Sequence, residues 1–423
     1  MANQEMKICA EEALNGNLED CARLLFPQEG ETMPKLRFSG FEGEWERKLL
    51  SECLEISEEK NTDNKFGIED VLSVSDDYGV VNQIELLGRS YAGKSVSGYK
   101  ILRPGQIVYT KSPLKAKPYG IVKQNTGEAG IVSVLYAVYN TKEGVAPEYI
   151  HYYFDPAWRL NAYMRPLVNK GAKNTMNISD ETALTGYIMI PKDIEEQRRI
   201  ATYLRSLDEQ IAIQQQQLER LKKMKQSCLG LLFADNQSIT PPLRFKGFSG
   251  EWKSVILMDI MDRYDNLRVP VKESQRVKGE YPYYGANGIQ DYVDGYTHDG
   301  EFILIAEDGA NNLIEYPVQY VNGKVWVNNH AHVLSAKKNV ASNMFIKYAI
   351  SHADVKSVLV GGTRAKLTSD ALMKLSVSIP PTINEQCRIA SFFSSLDEQI
   401  KIQMQQVEKL NQVKKACLNQ FIA

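Results

Sequence analysis

Two segments of this chain occur twice, and no other feature limits its possible folds so tightly. Leu36-Arg37-Phe38-Ser39-Gly40-Phe41-Glu42-Gly43-Glu44-Trp45 returns 207 residues later as Leu243-Arg244-Phe245-Lys246-Gly247-Phe248-Ser249-Gly250-Glu251-Trp252. Glu196-Gln197-Arg198-Arg199-Ile200-Ala201 returns 189 residues later as Glu385-Gln386-Cys387-Arg388-Ile389-Ala390. At the same spacing, Ser206-Leu207-Asp208-Glu209-Gln210-Ile211 returns as Ser395-Leu396-Asp397-Glu398-Gln399-Ile400. Repetition on this scale marks a duplicated frame of secondary structure. The spacings differ by 18, so the stretch between the shared segments is longer in the first half. Residues 46–190 and 253–380 share little beyond their ends, which makes them two unlike inserts in one frame.

The second repeat reads as a pair of long helices. Ile200, Leu204, Leu207, Ile211, Gln214, Leu218, Leu221, Lys225, Cys228 and Leu232 alternate steps of four and three, the heptad rhythm of a coiled-coil seam. The same phase in the other copy gives Ile389, Phe393, Leu396, Ile400, Gln403, Val407, Leu410, Lys414, Cys417 and Phe421, and the polar interruptions coincide. Polar seam residues fix register and orientation, so Gln214 and Gln403 are expected to set how the helices pair. Pro191 and Pro380-Pro381 stand just ahead of the helices, where proline is tolerated. Each helix is about 35 to 40 residues, about 55 Å at 1.5 Å per residue. A fainter echo puts Cys21-Ala22-Arg23-Leu24-Leu25-Phe26 in the place of Cys228-Leu229-Gly230-Leu231-Leu232-Phe233, so residues 4–26 read either as a short helical piece or as a frayed leader.

Composition excludes several classes. A chain of 423 residues is too long for one ordinary core. Its 43% hydrophobic and 24% charged residues are globular values. No apolar run approaches a membrane span and no signal core opens the chain, so a cytoplasmic location is expected. The cysteines at 9, 21, 53, 228, 387 and 417 form no C-x-x-C pair and read as reduced thiols. A net charge of −2 gives no global attraction to nucleic acid, so any such contact must be local.

The inserts read as mixed α and β domains. Strand-like runs occur at Gln106–Tyr109, Ile131–Tyr139, Phe302–Ala306 and Val325–Val327, with helices expected around 147–160 and 341–352. The first insert carries a basic loop interleaved with aromatic residues, Lys111-Ser112-Pro113-Leu114-Lys115-Ala116-Lys117-Pro118-Tyr119, which suits phosphate contact as well as it suits a solvated surface. The second offers Tyr283-Tyr284-Gly285-Ala286-Asn287-Gly288 and Gly361-Gly362-Thr363-Arg364-Ala365-Lys366, where a flexible backbone meets hydroxyl and cationic donors.

Two motifs point toward enzyme chemistry. Gly88-Arg89-Ser90-Tyr91-Ala92-Gly93-Lys94-Ser95 matches a phosphate-binding loop, so a nucleotide hydrolase using Gly88–Ser95 is one alternative. That chemistry needs a helix opening at Lys-Ser, and Gly98 with Pro104-Gly105 argues against one. His330-Ala331-His332 has metal-ligand spacing on a strand but no third ligand, so no metal is expected. No catalytic set stands out elsewhere. A purely structural coiled-coil adaptor is the other alternative.

The paired segments ending in Gly-Glu-Trp, Ile190-Pro191 and Ile379-Pro380 followed by Glu-Gln-x-x-Ile-Ala, and Leu-Asp-Glu-Gln-Ile twice, resemble the specificity subunit of type I restriction-modification systems over nearly the whole chain. The resemblance implies an α+β protein: two mixed α/β target recognition domains joined by two long antiparallel helices that form a coiled-coil spacer. The expected division is an N-terminal helical extension at 1–33, recognition domains at 34–190 and 241–380, and spacer helices at 191–240 and 381–423.

The resemblance further implies a non-catalytic role in host defence, each domain reading half of a bipartite site in double-stranded DNA. It implies docking of two modification (methyltransferase) subunits, which carry S-adenosylmethionine and methylate adenine, with restriction (motor-nuclease) subunits able to join. No cofactor is expected in this chain. The candidate DNA contacts are Arg89, Lys94, Lys111, Ser112, Lys115, Lys117, Tyr119, Lys173 and Asn174 in the first insert. Those in the second are Tyr283, Tyr284, Asn287, Asn329, His330, Thr363, Arg364 and Lys366.

Overall fold

The structure is a computed structural model that describes residues 37–170, 176–234, 238–361 and 365–420. The expected N-terminal helix at 4–26, Cys9, Cys21, Lys173, Asn174, Thr363, Arg364 and Phe421 lie outside the described residues. Two compact units form, one from residues through Ile213 together with those from Gln406 onward, the other from Gln214–Gln405. Each long helix is divided between the two units.

In the first unit the insert closes on itself. Strand Glu46–Leu49 pairs antiparallel with Tyr187–Ile190, Glu46 opposite Ile190. Leu50–Cys53 makes one helical turn, and the chain enters an antiparallel sheet ordered Leu54–Ile56, Tyr136–Thr141, Ile107–Thr110, Ile121–Gln124. The strand Ile107–Thr110 is buried throughout, as its unbroken apolar run requires when both sheet faces are covered. Ile107, Tyr109 and Tyr139 pack in one core with the helices Pro147–Phe154 and Ala157–Met164, while Val108 and Val138 join Leu102 and Val132 in another. The expected single strand over Ile131–Tyr139 is instead two, Gly130–Val132 and Tyr136–Thr141. Val134 and Leu135 are exposed at the turn between them, because the strands belong to different sheets.

The second unit repeats this plan with different residues. Lys253–Ile256 pairs antiparallel with Ser376–Ile379, Lys253 opposite Ile379, and Leu257–Ile260 makes the same helical turn. Its sheet is ordered Met261–Arg263, Ala331–Ala336, His298–Ala306, Val318–Val327, Lys278–Gly285, Gly288–Val293. All its pairings are antiparallel except the parallel one between Lys278–Gly285 and Val318–Val327. The first four strands have the order and directions of the first unit's sheet, and Asn343–His352 corresponds to Pro147–Phe154. Two inserts without a shared sequence pattern thus share a topology, since a core asks for buried apolar volume rather than particular residues.

The long helices run from Ile194 to Leu232 and from Ile383 to Gln420. Leu204, Leu207, Ile211, Phe393 and Leu396 are buried, and Gln214, Leu218, Leu221, Ile400, Gln403, Val407 and Leu410 are half-buried, so the heptad phase is the phase of burial. Within the second unit Gln214 meets Gln403 and Lys225 meets Asp397; within the first, Asp208 meets Lys414. In both the helices run antiparallel. Cys53, Cys228, Cys387 and Cys417 are free thiols, and no described helix is long and apolar enough to cross a membrane.

Candidate nucleic-acid interface

The repeated residues hold each insert onto the long helices. Arg37 grips Glu196 bidentately, Nε to Oε1 at 2.6 Å and Nη2 to Oε2 at 2.5 Å, and Arg244 grips Glu385 in the same way at 2.7 Å for both bonds. Both carboxylates are buried. Arg37 and Arg244 also donate to the carbonyls of Gly43 and Gly250, whose φ angles of 84° and 90° lie in the left-handed region open to glycine. The next residue of each repeat reaches into the insert. Gln197 Oε1 accepts from Ala146 N at 2.8 Å and Gln386 Oε1 from Ser342 N at 2.9 Å, each at the residue that opens a domain helix.

The aspartates of the Leu-Asp-Glu-Gln-Ile repeats do matching work. Asp208 accepts from Tyr152 at 2.9 Å and pairs with Lys414 at 2.7 Å, while Asp397 accepts from Tyr348 at 2.7 Å and pairs with Lys225 at 2.6 Å. The repeated residues are therefore framework.

In the first unit, Gly88 ends a short helix with φ 75°, and residues 88–99 have no regular structure before strand Lys100–Leu102. The helix that a phosphate-binding loop requires does not follow Ser95. Arg89 and Lys94 are exposed, the Arg89 guanidinium lying 4.5 Å from the centre of the exposed Tyr91 ring. In the basic loop Lys115 is exposed and Ser112 half-buried. Lys117 is buried, held by Asp76 at 2.5 Å and the Asp155 carbonyl at 2.9 Å, and Tyr119 belongs to the core. Lys111 pairs with Asp180, which also takes Lys100. Burial would raise the Asp180 carboxyl, but the hydrogen bonds of the two lysines outweigh it and hold it below the ordinary aspartate value.

In the second unit Tyr283 is buried, its hydroxyl bonded to both backbone groups of Val271, and Tyr284 is half-buried. Asn287 is exposed and ties two loops together through Gly309 O and Asn311 N, at 2.9 Å each. Asn329 and His330 are exposed, with His330 Nδ1 2.6 Å from Asp308. His332 turns inward instead, to Asp265 at 2.7 Å and the Leu367 carbonyl at 2.9 Å, so the two histidines do not share a ligand-facing side. Among the described residues no three His, Cys, Asp or Glu side chains could hold a metal ion. Lys366 pairs with Glu307 at 2.8 Å and Arg268 takes the other Glu307 oxygen at 2.7 Å, at one side of an open cleft of about 690 Å³ that Arg263, Asn266 and Ser369 also line. Asp180, Glu307, Arg268 and Arg263 were not among the sequence candidates, since isolated charges in turns and beside strands carry no local signal.

The chain is 44% identical over 151 residues to a putative type I restriction enzyme specificity subunit of Haemophilus influenzae, a match spanning 36% of this chain and 38% of that one. It is 29% identical over 182 residues to the EcoprrI specificity subunit of Escherichia coli, spanning 41% of this chain and 42% of the relative. The chain thus spans about two fifths of the length of these curated relatives. The crystal structure of the type I restriction-modification S subunit from M. genitalium has the same fold, with a TM-score of 0.65 at 14% identity, over 92% of this chain and 99% of that one. The type I restriction modification DNA specificity domain matches residues 42–223 and again 249–414, each match taking in one of the two clamping glutamates. With that domain present twice, once per arginine–glutamate clamp, the chain belongs to the type I restriction-modification DNA specificity family.

Proposed function

We propose that this chain is the non-catalytic DNA-reading subunit of a type I restriction-modification complex, each unit reading one half of an asymmetric, split site. The observation that carries this reading is the duplicated frame. Arg37–Glu196 and Arg244–Glu385 mount topologically equivalent sheets whose exposed loops differ in every candidate contact. One frame with two unlike loop sets suits two unlike half-sites on one duplex. Arg89, Lys94 and Lys115 in the first unit and Asn287, Asn329 and His330 in the second are the exposed donors best suited to phosphates and base edges. The candidates Lys117, Tyr119 and Tyr283 are buried and would support their loops from beneath.

The long helices set the unread gap between half-sites and dock the partners. Ile213 and Ile402 occupy the same repeat position on the two helices and are both exposed, which suits two copies of one partner, the modification subunits that carry S-adenosylmethionine. Restriction subunits are able to join the same assembly, in the cytoplasm where the DNA lies.

The test is to sequence methylated bases in cells with and without this chain, supplied with its modification subunits. A split adenine-methylated motif that appears only with the chain is expected, and methylation or cleavage by the purified chain alone would overturn the reading. Inserting one heptad beside Gln214 and one beside Gln403 lengthens the helix pair by about 10 Å. The mapped gap is expected to widen by about three base pairs while both half-sites stay the same.

A further inference from the structure

One joint in each unit carries the same charge arrangement with its polarity reversed. Lys111 follows the strand Ile107–Thr110 and pairs with Asp180, which lies ahead of the closing strand Tyr187–Ile190. Glu307 follows the equivalent strand His298–Ala306 and pairs with Lys366, ahead of the closing strand Ser376–Ile379. In both cases one carboxylate holds two cations, one on each oxygen. Asp180 takes Lys111 on Oδ1 and Lys100 on Oδ2; Glu307 takes Lys366 on Oε1 at 2.8 Å and Arg268 on Oε2 at 2.7 Å.

Resting on the DNA-reading function, we propose that Asp180 and Glu307 are specificity-determining residues that hold these cations back from DNA of any sequence. A phosphate can take both cations of a joint only by displacing the carboxylate already seated between them. That exchange of one anion for another releases little of the counterion entropy that drives non-specific association. It proceeds where base contacts from the neighbouring loops add their own free energy. Specificity here comes from a cost imposed on the wrong partner as well as a gain from the right one.

The test uses the full chain with its modification subunits, bound to a random-sequence duplex and to a duplex containing the motif found by methylation mapping, over a range of salt concentrations. D180N and E307Q keep the shape of each joint but cannot hold two cations. Each is expected to raise affinity for the random duplex by about tenfold at low salt, with a salt slope steeper by about one unit for each cation freed, and to lower the ratio of motif to random binding. Methylation of the motif at saturating protein is expected to continue, a readout that a misfolded unit would not keep.

The second arm removes cations instead. K111Q and K366Q are expected to flatten the slope for the motif duplex, and a double variant D180N/K111Q to lie closer to the parent than D180N does. Random-duplex affinity and slope unchanged in both D180N and E307Q would overturn the proposal, as would slopes unchanged in both lysine variants. A parent complex that binds neither duplex would instead overturn the DNA-reading function itself.

Discussion

Gln403 donates its side-chain amide to the backbone carbonyl of Gln214 at 3.0 Å and to the side-chain oxygen of the same residue, which holds its own place in the other copy of the repeat. An antiparallel pair of identical sequences must bring one position opposite itself, and here that position is polar. A one-turn slip of either helix would strand two amides in an apolar seam. The single variant Q214L removes the side-chain acceptor of the Gln403 amide, leaving it the backbone carbonyl of residue 214, and is expected to lower stability by about 1 kcal/mol in denaturant unfolding. The double variant Q214L/Q403L completes the apolar seam and is expected to recover that loss or exceed the parent. Additive effects of the two changes would show that the pair does not interact.

The clamps on the opening motifs are buried, and their loss should be costly. E196A leaves the Arg37 guanidinium without its bidentate partner and is expected to destabilise the first unit by about 3 kcal/mol. E219A, which removes the exposed partner of Lys222, is expected to cost less than about 0.5 kcal/mol. Equal unfolding midpoints for the two variants would contradict this account of the frame.

Neighbouring lysines of the basic loop are expected to behave oppositely. Lys115 is exposed, so K115A should leave thermal stability unchanged while lowering the salt slope of DNA binding by about one unit. Lys117 is buried against Asp76 and the Asp155 carbonyl, so K117A should lower stability by about 2 kcal/mol. Calorimetry and salt-dependent binding on the same two proteins separate the roles. A stability loss in K115A would place that side chain in the frame.

Burial, followed by the nearby charge of Lys123, pushes the His151 imidazole down to about 3, with Lys414 and Lys117 acting the same way and Asp155 opposing them. The folded value lies below the unfolded value of about 6.5. The stability this neutral ring supports is therefore complete above about pH 6.5 and is lost as pH falls toward 3. Lowering pH from 7 to 5 is expected to cost on the order of 2 kcal/mol through this residue, and H151Q should remove that part of the loss. Urea midpoints that fall equally in parent and variant would exclude His151 as the source.

Much of this protein could be read directly from its residues. The duplicated motifs located the frame, the heptad rhythm located both long helices and their buried faces, and Gly98 with Pro104-Gly105 after Ser95 told against a nucleotide loop. These features depend on local periodicity and on comparison of the chain with itself, both of which survive without coordinates. The pairing of Lys111 with Asp180 across 69 residues, the burial of Lys117 beside exposed Lys115, and the shared topology of two dissimilar inserts were decided by tertiary structure alone. A lysine in a loop has the same propensity whether it meets solvent or a carboxylate. Only the approach of segments distant in sequence determines which anion it finds.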